Sequence, residues 1–305
     1  MCGGEPLLCA AVALPATCGE LVQGTYEGVT ALVSCPIARY STARVALQPG
    51  EAGEAPPDAP KAAAAVRAGL AFRRRLDLGA RLRLEGDIPR GRGYGSSTAD
   101  VAGALYAVGE ALGQPFSAED VARLAVSIEP SDSVMFPQLT LFDHRGASFF
   151  EVLGAAPPLT VLVLDPGGEV DTIAFNRLNH REALRKLAAQ HREAFDLLRQ
   201  GVRAGDAAAV GAAATLSARA HEAILPNPLL ETAIWLACQV RALGVCRAHS
   251  GTLLGILLGK EAEVPFVTRF VARHLPRHVQ ITSYALVDGG PRPNALTGAR
   301  RSRSS

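Results

Sequence analysis

Three short stretches carry side chains able to do chemistry. "GRGYGSSTAD" (Gly91 to Asp100) sets glycines at 91, 93 and 95 ahead of Ser96, Ser97 and Thr98. "IEPSDS" (Ile128 to Ser133) holds Glu129 and Asp132 on either side of Pro130 and Ser131. "LPATCGELVQG" (Leu14 to Gly24) places Glu20 and Gln23 in an otherwise apolar, glycine-flanked loop. Glycine lets backbone approach a ligand closely and take positive φ. Hydroxyl residues opening a helix add donors where free N–H groups and the helix dipole already favour an anion. A carboxylate just past a helix suits Mg²⁺, and a second one can orient a hydroxyl or take its proton. The competing readings are a Gly-Ser turn with a serine cap, and an acidic surface turn.

Spacing decides which phosphate loop this can be. A Walker loop requires Gly-Lys-Ser/Thr, and no lysine lies nearby. The dinucleotide pattern Gly-x-Gly-x-x-Gly fails from Gly91, where its last place is Ser96, and from Gly93, where it is Thr98. The strand lysine and His-Arg-Asp loop of protein kinases are missing. A strand, a glycine loop and a helix remain, which suits either a phosphate cradle of another kind or a Gly-Ser turn with a serine cap.

The elements that must position these residues follow from hydrophobic periodicity. Leu7 to Leu14, ending at Pro15, and Thr30 to Cys35 read as strands with "GTYEGV" as the turn, and Tyr40 to Gln48 reads as another. Pro49 to Pro60 is a loop by composition, and Ala62 to Leu76 a helix. "ARLRLEGDIP" alternates as a strand leading into the glycine loop, and "ADVAGALYAVGEALG" continues it as a helix closed by Gly113. Ser117 caps a helix running through Ile128, where Pro130 stops it. Short strands follow at "LTLFD", "ASFFEVL" and Leu159 to Asp165. Helices are expected over Arg177 to Arg199, Asp206 to Ile224, Leu229 to Leu243 and Val264 to His274, with "VQITSYALV" as a last strand. Strands early and helices late predict an α+β fold.

Composition sets outer bounds. The chain has 305 residues, 48% hydrophobic and 20% charged, with a net charge of +2. That is ordinary globular composition, and the charge is too near balance to advertise a nucleic-acid or membrane partner. The six cysteines form no Cys-x-x-Cys pair and read as reduced thiols of a cytoplasmic protein. No run reaches membrane-spanning length, and Glu5 sits where a signal peptide needs a basic residue.

"PRGRGYGSST" resembles the ATP loop of the kinases named for galactokinase, homoserine kinase, mevalonate kinase and phosphomevalonate kinase, the GHMP kinases. Their pattern is Pro-x-x-x-Gly-Leu-Gly-Ser-Ser-Ala, with Tyr94 here for the leucine and Thr98 for the alanine. "LPATCGELVQG" resembles the family's substrate motif, with Thr17 where some members carry a lysine, and "GVCRAHSGTLLGILL" (Gly244 to Leu258) resembles its C-terminal glycine motif. "PATCGELVQG", "LVSCP", "GSSTAD" and "EPSDS…LTLFDH" together resemble a narrower branch, the bacterial kinases that phosphorylate free L-threonine with ATP for cobalamin biosynthesis.

The resemblance implies a two-lobed fold with an N-terminal ribosomal-protein-S5-like lobe and a C-terminal ferredoxin-like α/β lobe. These would span residues 1–155 and 156–297, followed by a basic disordered tail at 298–305. It implies ATP and Mg²⁺, with Pro89, Arg90, Gly91, Arg92, Gly93, Tyr94, Gly95, Ser96, Ser97 and Thr98 around the nucleotide. Ser97 and Glu129 would hold the metal, and Asp132 would face the acceptor hydroxyl as base or orienter. An amino acid offers an ammonium and a carboxylate, which an acid and an amide, Glu20 and Gln23, can meet; surface placement of both is the competing reading. Asp143 and His144 read as packing or hydrogen-bonding residues, and His249 and Ser250 as neighbours of the phosphates or shapers of a turn. A monomer or homodimer acting on a small molecule is expected. Phosphorylation of homoserine or an isoprenoid alcohol, and ligand binding without catalysis, stay open as alternatives.

Overall fold

The computed structural model describes residues 8–50, 53–168 and 181–293. Two long strands, β1 (Leu8–Tyr26) and β2 (Val29–Pro49), form an antiparallel hairpin around Glu27 and Gly28, both at positive φ. Then come α1 (Pro60–Phe72), β3 (Leu78–Glu85), α2 (Ser96–Ala111), α3 (Ala118–Ile128), β4 (Leu139–Phe142), β5 (Phe150–Gly154) and β6 (Thr160–Asp165). Beyond the undescribed segment lie α4 (Arg181–Lys186), α5 (Ala188–Ala204), α6 (Ala207–His221), α7 (Leu230–Gln239), β7 (Gly244–Arg247), β8 (Leu254–Leu258), α8 (Val264–His274), β9 (Gln280–Ala285) and β10 (Arg292–Pro293).

Among the described residues the strands form one sheet in the order β5-β4-β2-β1-β7-β8-β6-β9, with β3 also on β2 and β10 on β1. The first half of β1 pairs with the last half of β2, which pairs on its other edge with β3. This layer buries Val12, Leu14, Val45 and Leu82 against Leu105, Val108 and Val121 of α2 and α3. Beyond residue 15, β1 slips register at Pro15/Ala16, Thr17/Glu20 and Glu20/Val22, and Glu20 pairs with Arg247 of β7. Bulges bend a strand and re-aim its side chains. There β1 enters a second core in which Leu21, Val33 and Val161 meet Phe195, Leu198 and Val210 of α5 and α6. A third core packs β6 to β8 on α7 and α8. The mixed α+β architecture is as expected.

Several expected boundaries move. The first strand does not end at Pro15, nor the second at Cys35: both run on, because bulges absorb the prolines. The motif read as a loop at Leu14 to Gly24 is therefore a bulged strand. Helix α1 starts at Pro60, whose fixed φ suits a first turn, and stops at Phe72 before Arg74 turns left-handed at φ 56°. The helix expected over Arg177 to Arg199 falls partly outside the described residues and is divided at Leu187. Strand β10 was not foreseen, being only two residues long. The expected tail at 298–305 lies outside the described residues. The capping of α3 by Ser117, which accepts from Asp120 N–H, is as read, and Asp206 caps α6 in the same way.

Helix α6 seats on β7 through two glycines. A Cβ on Gly244 would lie 1.9 Å from the Gly211 carbonyl oxygen, and one on Gly211 would lie 2.3 Å from Leu243 O. Both neighbours are backbone, so neither can step aside cheaply. Gly244→Ala is expected to destabilise the fold by about 2 kcal/mol or more, read as a lower midpoint in thermal or urea melts.

Candidate active site

The glycine loop is held from two sides. Its Tyr94 carbonyl accepts from Thr17 N–H at 2.8 Å, and its Gly93 carbonyl from Gly19 N–H at 3.2 Å. Its Arg92 carbonyl accepts from Thr252 and Leu253 N–H at 3.0 and 3.2 Å. Thus the bulged part of β1 and the β7–β8 turn both dock on it. Side chains would block this: a Cβ on Gly93 would lie 2.4 Å from Ala248 Cβ, and one on Gly251 2.3 Å from Arg92 O. Gly91, Gly93 and Gly95 all take positive φ, at 72°, 103° and 67°. Gly95 is the N-cap of α2, so no side chain caps this helix. Its first N–H groups and the hydroxyls of Ser96 and Ser97 therefore face the same cleft, a site suited to an anion.

That cleft has a volume of about 390 Å³. Opposite the loop is the acidic turn after α3. Ser133 exchanges two hydrogen bonds with Ser34 of β2, Asp132 N–H donates to Thr98 Oγ1 at 3.1 Å, and Ser131 N–H donates to the His144 carbonyl at 3.0 Å. So anchored, Glu129 takes two contacts: Ser97 donates its hydroxyl to one carboxylate oxygen, and Lys61, from the first turn of α1, donates its ammonium to the other. A hydroxyl and a carboxylate are donors Mg²⁺ accepts when phosphates and water complete its shell. Among the described residues no group of three or more His, Cys, Asp and Glu side chains is arranged to hold a metal alone.

The inner end of the cleft is lined by Glu20, Asp132, His144 and His249. Burial, and then the charge of Asp132, push the Glu20 carboxyl well up from its ordinary range. Burial and the Glu129 charge raise Asp132 to about 6. His144, 3% exposed, is lowered to about 3 by burial, so its ring is neutral at ordinary pH. His249 stacks edge-on to it at 5.0 Å, with its Nδ1 2.5 Å from Gln23 Oε1. Asp58 and Asp100 also line the cleft, making five carboxylates against Lys61 and Arg90. Such a site favours a bound cation along with any polyphosphate.

Most of the expected site residues converge here: Arg90, Gly91, Gly93, Tyr94, Gly95, Ser96, Ser97, Thr98, Glu129, Asp132 and Glu20 all line the cleft, as do His249 and Ser250. Three do not. Pro89 stands outside it, and Arg92 turns away to Asp165 at 3.1 Å. Gln23 is buried with both ends of its amide engaged, by His249 and by the Arg247 carbonyl, because β1 carries it into the second core. Surface placement of Glu20 and Gln23 is excluded, as they are 3% and 1% exposed. Arg90 is paired with Asp58 and Asp100. Tyr94 donates its hydroxyl to Asp165 at 3.2 Å. Asp143 fits the hydrogen-bonding reading: it accepts from the N–H groups of Arg145, Gly146 and Ser148. Two cleft residues were missed. Lys61 sits in an alanine-rich helix with no motif around it, although a lysine beside a helix N-terminus opposes the dipole and so signals another task. The packing or hydrogen-bonding role expected of His144 does not include its place in the cleft lining.

Comparison with known proteins relates this chain to a family of kinases. The GHMP kinases N terminal domain matches residues 61–136, a span that includes Lys61, the glycine loop, Glu129 and Asp132. An L-threonine kinase of Salmonella typhimurium is 34% identical over 279 residues, covering 87% of this chain and 92% of its own. An L-threonine kinase of Citrobacter freundii is 34% identical over 249 residues, covering 81% and 85%. In fold, a homoserine kinase from Cytophaga hutchinsonii aligns with a TM-score of 0.71 at 16% identity, over 96% of this chain and 99% of that one.

The raised Asp132 carboxyl carries a stability cost. An acid whose folded pKa lies near 6 rather than 3.8 stabilises the fold most when protonated, and that stability is lost as pH rises from about 4 through 6. Asp132→Asn is therefore expected to be more stable than wild type at pH 7.5, by up to about 3 kcal/mol. The advantage should shrink between pH 6 and pH 4, as measured by urea melts across that range.

Proposed function

This chain belongs to the GHMP kinase family, and on that premise we propose that it transfers the γ-phosphoryl group of ATP to the side-chain hydroxyl of free L-threonine. The observation that carries this reading is the junction of Ser97 and Glu129, where an uncapped helix N-terminus meets a carboxylate across the cleft. The two relatives of about a third identity, matched over most of both chains and both L-threonine kinases, support the choice of acceptor.

On this reading the loop from Gly91 to Thr98 cradles the phosphates through backbone N–H groups and the Ser96 hydroxyl. Ser97 and Glu129 hold Mg²⁺, which when bound neutralises charge on the phosphates. Lys61 brings an ammonium to the same junction, offsetting charge that Thr17, turned onto the loop backbone, cannot. Asp132 orients the threonine hydroxyl and accepts its proton as the oxygen–phosphorus bond forms and ADP leaves; a carboxyl near 6 is well tuned for that at neutral pH. Glu20 meets the ammonium of the amino acid. Residues to 155 form the nucleotide lobe and 156–297 the second lobe. The product, O-phospho-L-threonine, would supply the aminopropanol linker of cobalamin from the cytoplasm. Among the described residues no helix is long and apolar enough to cross a membrane.

The test is ADP release with a panel of alcohols. L-threonine should outpace homoserine and isoprenoid alcohols, and a reversed order would overturn the acceptor. Ser97→Ala and Glu129→Gln should lower kcat by about 100-fold or more. Asp132→Asn should lower it by about 100-fold or more while leaving nucleotide binding near wild type. In wild type, kcat/KM should rise with pH through about 6 as Asp132 ionises, and Asp132→Asn should abolish that limb.

A further inference from the structure

We propose that His144 donates a ring N–H to the α-carboxylate of the amino-acid acceptor, and so selects alcohols that carry one. The inference rests on the acceptor being an amino acid. Such an acceptor needs a donor for its carboxylate at the end of the cleft where Asp132 meets its hydroxyl. Three donors near that end are already engaged. Gln23, the amide that suits the task chemically, is buried outside the cleft with Oε1 against His249 and Nε2 on the Arg247 carbonyl. Arg247 does not line the cleft and is paired with Glu222 and the Leu225 carbonyl. His249 is joined through Nδ1 to Gln23, and its own carbonyl is held by His221.

His144 differs from all of these. It lines the cleft, is 3% exposed, and neither ring nitrogen has a hydrogen-bond partner. A buried polar atom left unpaired costs stability, so two on one ring call for an explanation, and a ligand group supplies one. The backbone around the ring is fixed. The His144 carbonyl holds Ser131 N–H, one residue from Asp132, and Asp143 organises the turn that follows. The Cβ–Cγ torsion of a histidine is intrinsically broad, so adjusting a ring nitrogen toward a ligand in the cleft does not require that backbone to move. A neutral imidazole carries one N–H donor, which is what a carboxylate oxygen requires. Glu20, with one oxygen unpaired beside the same end, is left to take the ammonium.

The experiment compares L-threonine with L-threoninamide, which keeps the hydroxyl and ammonium but lacks the carboxylate charge. In wild type, kcat/KM should favour L-threonine. In His144→Ala that preference should shrink by about 10-fold or more, the value of one hydrogen bond to a charged group. The KM for ATP should stay within about 2-fold of wild type. Calorimetric titration with L-threonine should show the matching loss of affinity, and His144→Asn, which keeps an N–H, should recover part of it. His144→Leu should melt no lower than wild type, because it removes two unpaired buried nitrogens. A folded His144→Ala protein with the wild-type preference intact overturns the role of His144. A wild type inert toward L-threonine overturns the acceptor reading and this inference with it.

Discussion

Everything at the candidate site depends on backbone hydrogen bonds that pin the glycine loop from two distant parts of the chain. Carbonyls 92, 93 and 94 are each taken by an N–H from β1 or from the β7–β8 turn. These bonds require close approach of main chain to main chain, and Gly93, Gly95 and Gly251 are glycine because a Cβ at any of them would enter a neighbouring residue. With the carbonyls turned toward these strands, the first residues of the next turn, Gly95 to Thr98, line the cleft. The anion site is thus the reverse side of a structural clamp.

The acidic turn works against that clamp. Five carboxylates in one cleft repel one another, and burial adds to the strain on Glu20 and Asp132. Hydrogen bonds donated by the turn's N–H groups to Thr98 Oγ1, Ser34 Oγ and the His144 carbonyl hold it in place regardless. A fold accepts such an arrangement where it serves a bound cation or a proton transfer, and both belong to phosphoryl-transfer chemistry.

Much of this was legible in the sequence, and for local reasons. The three motifs, the cap at Ser117 and the stop at Pro130 are contiguous signals, each readable from a few neighbours. What was not legible depends on distant partners. β1 looked like a strand broken at Pro15, because a bulge is visible only once the partner strand gives the register. Gln23 looked like a ligand because its neighbours are glycine and apolar residues, and that same environment is what a buried amide in a core strand has. Lys61 lies in a segment with no motif and His144 closes "LTLFDH" with no signal of a role beyond packing or hydrogen bonding, and only the fold brings them beside Glu129 and Asp132.

The continuity of β1 has a mechanical consequence. One unbroken strand takes part in the first core before its bulges and in the second core after them, and the cleft opens at the bend. The two halves are therefore joined by a shared beam rather than by a linker. A closing of the cleft would have to flex that beam at residues 15–22, where register slips interrupt the regular pairing. Thr17, Gly19 and Glu20 sit on that flexure, so the contacts that steady the phosphate loop and the group facing the acceptor move together.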